Sequence, residues 1–324
     1  MILARTKELL LRHGFLIVLA GVFTFFSLTT RSFLQPANLF DLLHAMAPLV
    51  VISSGMAMVV LMGKLDISVG SIAFLSCAVG ALLLQHPSVH PVAALAATLA
   101  TGALLGAING FIVVVLRVNP LITTLGTMIA YRGLALQLTN SVLVQLPDPV
   151  RTLGSESIGL VSVDSLFAIL VLLLVHVVHR RTVFGRQLTA IGNDEATAAR
   201  VGLPVRRLVF STFVATGVLS AVGGAMTTLQ VGGVTAFLGK GLEFSAVAVV
   251  VVGGISLFGG RGSVLAGVLL GALTFEMIHN GLNHLGANPY FYRLVGGAVI
   301  FVAMYADALK AGSRGAARDV ETAS

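Results

Sequence analysis

Continuous apolar runs of about 20 residues recur from one end of this chain to the other, and a run of that length is what a helix needs to cross a bilayer. In hydrocarbon the backbone must satisfy its own hydrogen bonds, which leaves only helices and closed barrels. Barrel strands alternate in polarity over short segments, and these runs do not alternate. They lie near 14–30, 39–63, 68–86, 91–116, 121–140, 163–179, 208–230, 241–258, 263–279 and 291–309. The expected fold is therefore all-α, a polytopic transmembrane helix bundle of about ten spans. Composition agrees: charged residues are only 10% of the chain, against about 25% in ordinary soluble domains.

A net charge of +7 would suggest a nucleic-acid partner in a soluble protein. Here the basic residues flank the apolar runs, so membrane orientation explains them and no nucleic acid is expected. With a cytoplasmic N-terminus, the inner segments hold Arg5, Lys7, Arg12, Lys64, Arg117, Arg180, Arg181, Arg186, Arg200, Arg206, Arg207, Arg261, Lys310, Arg314 and Arg318. The outer segments hold Arg31, Arg151, Lys240 and Arg293, with Arg132 inside a span. The expected layout is a cytoplasmic segment 1–13, a membrane domain 14–309 and a cytoplasmic tail 310–324, in a multi-pass membrane protein with lipid around it. No small-residue cleavage site follows the first run, which reads as an uncleaved first span.

A faint internal repeat adds architecture. Leu65-Asp66-Ile67-Ser68 opens the third span and Leu242-Glu243-Phe244-Ser245 the eighth, while GALLGAINGF (102–111) resembles GVLLGALTFE (267–276) in the fourth and ninth. The matched spans run in opposite directions, so an inverted five-plus-five repeat is expected, the plan by which many transporters build a mid-membrane site. Glycines at small-xxx-small spacing, Gly102 with Gly106 and Gly267 with Gly271, suit close helix crossings. Gly63, Gly70, Gly253, Gly254, Gly259 and Gly260 cluster beside charges and suit interrupted helices instead.

A charge placed at bilayer depth costs about 2.5–3.5 kcal/mol on insertion scales, so Asp66 and Glu243 call for a reason. They read either as the polar lining of a path or as caps on helix N-termini, and the two roles are compatible. Asp66, Ser68, Asn109, Thr127 and Glu243 are the path candidates. Thr123, Thr124, Tyr131, Arg132, Glu276 and Asn280 are further polar groups within spans, although threonine hydroxyls ordinarily bond back to their own helix, and Arg132 reads as snorkelling or pairing with an acid. His176 and His179 share a helix face without a third ligand, so no metal site is expected. Cys77 is the only cysteine, which excludes a disulfide framework.

Enzyme signatures are lacking: there is no H-E-x-x-H and no G-x-S-x-G. An intramembrane enzyme would require Asp307, near Tyr305, to find a second acid. GGVTAFLGKG (232–241) comes nearest to a phosphate loop and fails, because Gly241 stands where a Ser or Thr is required. The chain itself therefore binds no cofactor, and any ATP hydrolysis must come from another subunit.

The stretch Arg180 to Arg207, RRTVFGRQLTAIGNDEATAARVGLPVRR, is a charged island between two apolar runs and the largest candidate surface for a soluble partner. It reads as one short helix: Asn193 caps it, Asp194 and Glu195 fill the first turn, Arg200 the last, Gly202 suits a left-handed exit and Pro204 stops it.

Four ordered motifs, LMGKLDISVGSIAFLSCAVGALLL, VNPLITTLGTMIAYRGLALQLTN, TVFGRQLTAIGNDEATAARVGLPV and GLEFSAVAVVVVGGISLFGGRGSVLAGVLLGAL, resemble the permease subunits of bacterial ribose-type (monosaccharide) ABC importers. These are kin of the branched-chain amino-acid permeases, and the resemblance runs from about residue 40 to 309. It implies a pair of permeases, alike or paralogous, joined to a cytoplasmic ABC ATPase that holds ATP and Mg, and fed by a periplasmic sugar-binding protein. The family's G-G-x-D-L-S-V-G motif falls on 63–70, with Asp66, Ser68 and Gly70 matching and Lys64 standing where the family often has Gly; Lys64 is expected to pair with Asp66. The family's coupling loop falls on Phe184, Gly185, Arg186, Ala190, Gly192, Ala198, Ala199 and Gly202, with Asp194 and Leu203 replacing the usual Asn and Ile. Phe184, Gly185, Arg186, Gly192, Asp194, Ala198, Ala199 and Gly202 are thus the candidate ATPase-coupling residues. Bulky replacements at Gly185 or Ala199 are expected to uncouple uptake. A branched-chain amino-acid permease and an ion-coupled secondary transporter are the alternative readings.

Overall fold

The computed structural model describes residues 2–288, 291–292, 294–305 and 307–308, with side chains from residue 16 onward. Arg293, Lys310, Arg314, Arg318 and the tail 310–324 lie outside the described residues, as do the side chains of Arg5, Lys7 and Arg12. The chain forms α1 (Ile2–Thr29), α2 (Pro36–Leu61), α3 (Val69–Leu83), α4 (Pro91–Val114), α5 (Pro120–Leu138), α6 (Asp148–Arg151), α7 (Val163–Arg181), α8 (Val183–Asn193), α9 (Glu195–Arg200), α10 (Val205–Val231), α11 (Leu242–Val252) and α12 (Val264–His284). An apolar helix α13 covers Leu294–Tyr305. Four two-residue strands, β1 (Val144–Gln145), β2 (Ser157–Ile158), β3 (Val161–Ser162) and β4 (Gly233–Val234), edge the opposite end from α8 and α9. Among the described residues, α2, α4, α7, α10 and α12 are long and apolar enough to cross a membrane, so this is a helical membrane protein.

Helix starts follow local chemistry. Pro36, Pro91 and Pro120 each open a helix, where the missing N–H is no loss. The Asn119 side chain accepts the Leu121 N–H at 2.9 Å, and His90 Nδ1 accepts that of Val92 at 3.2 Å. Gly232, with φ of 82°, closes α10 in the left-handed region that glycine enters without strain.

The centre belongs to α2 and α10. From Met46 to Leu61 every residue of α2 is buried, while α4 and α7 keep wide faces exposed, with Leu104, Ile108, Leu170 and Leu174 directed outward as lipid-facing surface. Gly102 and Gly106 let α4 lie directly on α10: a side chain at either position would strike the backbone oxygen of Gly217 or Phe213. Gly267 and Gly271 do the same for α12 against Gly253, Val249 and Ile255 at α11. Both expected small-residue crossings are therefore present.

Two spans are shorter than expected. The third, 68–86 in the sequence reading, is helical over 69–83, and the eighth, 241–258, only over 242–252. At 1.5 Å per residue these helices reach about 22 and 16 Å, less than the roughly 30 Å of hydrocarbon. Both helices are largely buried, while the segments that flank them, 62–68, 232–241 and 253–263, mix buried residues such as Asp66, Val234 and Gly259 with exposed ones such as Phe237 and Phe258.

Candidate translocation site and coupling segment

The first residues of α3 and α11 meet. A side chain at Gly70 would collide with the Gly239 carbonyl and the Glu243 carboxylate, and one at Gly239 with the Gly70 backbone. Two helix N-termini thus point at one junction, with the carboxyl groups of Asp66 and Glu243 beside them. The segment reaching the junction from α2 turns at Gly63, with φ of 69°, and the segment entering α11 turns at Gly239 and Gly241, with φ of 70° and 90°.

Asp66 ends a directional chain of hydrogen bonds. Its Oδ1 accepts the Ser68 N–H at 3.0 Å and the Ser68 hydroxyl at 2.5 Å. Ser68 Oγ accepts Asn109 Nδ2 from α4 at 2.7 Å, and Asn109 Oδ1 accepts the Tyr131 hydroxyl from α5 at 3.2 Å. The Ser68 and Asn109 donors point toward the carboxylate, so each bond polarises the next, while the Tyr131 hydroxyl is shared between Asn109 Oδ1 and Leu105 O, the latter at 3.1 Å. Asp66, Ser68 and Asn109 are fully buried. Thr127 bonds back to Thr124 O at 3.4 Å and lies beside the Tyr131 end of the chain.

Glu243 occupies the far side of Gly70, its Oε1 accepting the Gly241 N–H at 3.3 Å. Arg132 donates to Leu238 O at 3.3 Å, lies 5.5 Å over the Phe74 ring and stands within electrostatic reach of Glu243 without touching it. Asp66 Oδ2, Ser71 Oγ, Arg132 Nη2 and Glu243 Oε2 are buried and have no protein partner. Such groups are costly unless something else pairs with them. Chemically, the arrangement offers acceptors, a guanidinium and hydroxyls around one point.

The structure thus brings Asp66, Ser68 and Asn109 into one network, sets Thr127 beside it and Glu243 across the junction. Tyr131, Arg132 and Ser71 complete the cluster and were outside the five-residue candidate set. Arg132 and Tyr131 adjoin on α5, where a charged and a hydroxyl side chain within one apolar span were the available signal. Glu276 and Asn280 belong elsewhere: Asn280 exchanges hydrogen bonds with Asn38, joining α12 to α2.

The charged island departs from expectation in two ways. It forms two helices, because Asp194 breaks helical geometry with φ of −164° and ψ of 103°. Asp194, not Asn193, is the cap: its Oδ1 accepts the Thr197 N–H at 2.9 Å and its Oδ2 the Thr197 hydroxyl at 2.7 Å. Asn193 is the last residue of α8. These hydrogen bonds hold the Asp194 carboxyl below its ordinary pKa. Gly202, with φ of 84°, makes the expected left-handed exit.

The eight coupling candidates divide by face. Gly185, Gly192, Phe184 and Ala198 turn inward: Gly185 packs on the His179 backbone, Gly192 on Leu61 O and Gly260 N, Phe184 against the core, and Ala198 is buried. Leu188 and Ile191 anchor the same face. Arg186, Asp194, Ala199 and Gly202 are exposed. A bulky residue at Gly185 would therefore disturb the local fold itself, which leaves Ala199 as the informative position.

Two further expectations change. Lys64 pairs with Glu195, Nζ to Oε2 at 2.8 Å, rather than with Asp66, whose carboxylate is already engaged by Ser68. Among the described residues Asp307 pairs with no acid; its Oδ2 accepts the Leu257 N–H at 2.9 Å and the Ser256 hydroxyl at 3.2 Å, tying down the loop after α11. His179 bonds Thr189 across the α7–α8 junction at 3.1 Å.

Relatives match nearly the whole length of the chain. The probable ABC transporter permease protein YphD of Escherichia coli (strain K12) is 36% identical, over 94% of this chain and 92% of its own length. The ribose import permease protein RbsC of Bacillus subtilis (strain 168) is 35% identical over 88% of each chain. The galactose/methyl galactoside import permease protein MglC of Escherichia coli (strain K12) is 31% identical over 92% of this chain and 94% of its own. No solved structure matches. The model of the family described as branched-chain amino acid transport system / permease component matches residues 38–304, and with that breadth of agreement the chain belongs to this permease family.

Proposed function

We propose that the chain is the membrane permease of an ATP-binding-cassette importer that translocates a monosaccharide or related polyol. A periplasmic binding protein delivers the solute, and a separate cytoplasmic subunit hydrolyses ATP with its Mg. The observation that carries this reading is the two-faced coupling segment: one face of α8 and α9 is packed into the membrane domain, and the other is presented to solvent. A segment anchored on one side and open on the other suits a partner that pushes on it.

The relatives named for ribose and galactose favour a sugar over a branched-chain amino acid as the cargo. A neutral polyol needs hydroxyl, amide and carboxylate partners rather than a dense charged site, which suits Asp66, Ser68, Asn109, Thr127 and Glu243 as path residues. The burial of Asp66, Ser68, Asn109 and Glu243 in this conformation, with Thr127 half-buried beside them, corresponds to a closed path. Two copies of the permease, or a copy and a paralogue, would flank the path, and movement of their coupling segments would open it alternately to either side.

Ten spans with both termini cytoplasmic complete the proposal, in a bacterial inner membrane. Besides the five long helices, α1, α3, α5, α11 and α13 are apolar or enclosed. The inverted repeat is supported by α3 and α11: both short, both buried, both entered past an acid, each followed by a glycine-faced partner, α4 and α12.

The exposed Ala199 offers the test. Ala199→Trp should leave the amount of permease in the membrane and its melting temperature unchanged, while lowering copurified ATPase and sugar uptake by about tenfold, equivalent to about 1.4 kcal/mol. Full uptake by this variant contradicts the coupling role.

A further inference from the structure

We infer that Lys64, paired with Glu195, and the backbone seam of Gly63, Gly192, Gly259 and Gly260 form the joint through which the coupling segment moves both short helices at the polar junction. This rests on the import reading above and adds to it a route and a positioning residue.

Three backbones converge at the seam, with the Asn193 side chain against Gly260. Gly260 N–H donates to Leu61 O at 2.8 Å, linking the loop after α11 to the end of α2. A side chain at Gly192, at the end of α8, would overlap both Leu61 O and Gly260 N. One at Gly260 would overlap the Asn193 side chain, and one at Gly259 would press on Gly63 N and Gly192 O. Backbone in direct contact has no rotamers to absorb a displacement, so a shift of α8 and α9 passes into both loops.

The two loops lead to the two acids. Lys64 lies on the segment from α2 to α3, just before Asp66, where the Tyr131–Asn109–Ser68 chain of hydrogen bonds ends. Gly259 and Gly260 lie on the segment after α11, whose first turn carries Glu243. The Lys64 side chain is 12% exposed and its Glu195 partner 53%. An ion pair with one partner in water contributes little to stability, which favours a role in transmission over one in holding the fold together. Lys64 thus adds a side-chain tie to a seam made mainly of backbone.

The test uses the complete complex of permease, ATPase and binding protein in proteoliposomes, reading sugar transported per ATP hydrolysed. Lys64→Glu and Glu195→Lys should each lower this ratio about fivefold, within the usual range for coupled pairs, and the double exchange should restore at least half of it. Unchanged ratios in the single variants, or no recovery in the double, overturn the joint. Should a charge reversal impair assembly, Lys64→Cys with Glu195→Cys bridged by a short bifunctional maleimide decides: the joint predicts retained coupling when bridged, and arrest of transport on bridging refutes it. Absence of ATP-dependent uptake in the wild-type complex is a different failure, which removes the import reading and the joint with it. Coupled wild-type transport with indifferent variants removes the joint alone.

Discussion

Asp194 closes α9 by accepting both the N–H and the hydroxyl of Thr197. These bonds favour the ionised form and depress its pKa, so the stabilisation they give is complete above the unfolded pKa of about 3.9 and is lost as pH falls through the lower folded value. Amide protection of residues 195–200, corrected for intrinsic exchange, should stay flat from pH 8 to 5 and fall only below about pH 4. Asp194→Ala should show several-fold weaker protection at neutral pH; protection equal to wild type contradicts the cap. An acid near a helix start was legible in the sequence, but whether position 193 or 194 capped it was not. Asn and Asp are equally good caps, and the choice depended on where the backbone left helical geometry. The partner of Lys64 was likewise hidden, because Asp66 is near in sequence while Glu195 is near only once α8 has packed against α2.

At the scale of elements, close backbone approach is the recurring device. The α4–α10 crossing depends on Gly102, Gly106 and Gly217, whereas Gly126 and Gly133 on α5 face open space. Gly106→Leu should therefore destabilise the protein by about 1–3 kcal/mol through overpacking, and Gly126→Leu hardly at all. Melting curves in detergent, compared between the two variants, check this; equal effects contradict the crossing. The apolar runs and small-residue spacings made the long helices legible, since both follow from local pattern. The true extents of α3 and α11 were not legible from hydropathy, because Ile255 and Leu257 continue the apolar character past Val252 although Gly253 and Gly254 end the helix. The β1–β4 pairing, Val144 opposite Val234, joins segments with no local signal for one another.

Across the whole molecule, Lys64, Arg117, Arg186, Arg200, Arg206, Arg207 and Arg261 flank the end that carries α8 and α9, while Arg31 and Arg151 flank the other. Asp66, Ser68 and Asn109 were identifiable singly as polar residues in apolar surroundings. That they bond in sequence, with Tyr131 behind them, emerges only from the packing of α3, α4 and α5. On the proposed import function, this chain supplies a path and a handle, and a partner supplies the energy. Reconstitution tests it most directly: purified permease in vesicles should move no sugar alone, and should accumulate sugar once the ATPase, binding protein and ATP are added. Uphill transport by the permease alone, or by the full set without ATP, contradicts the account.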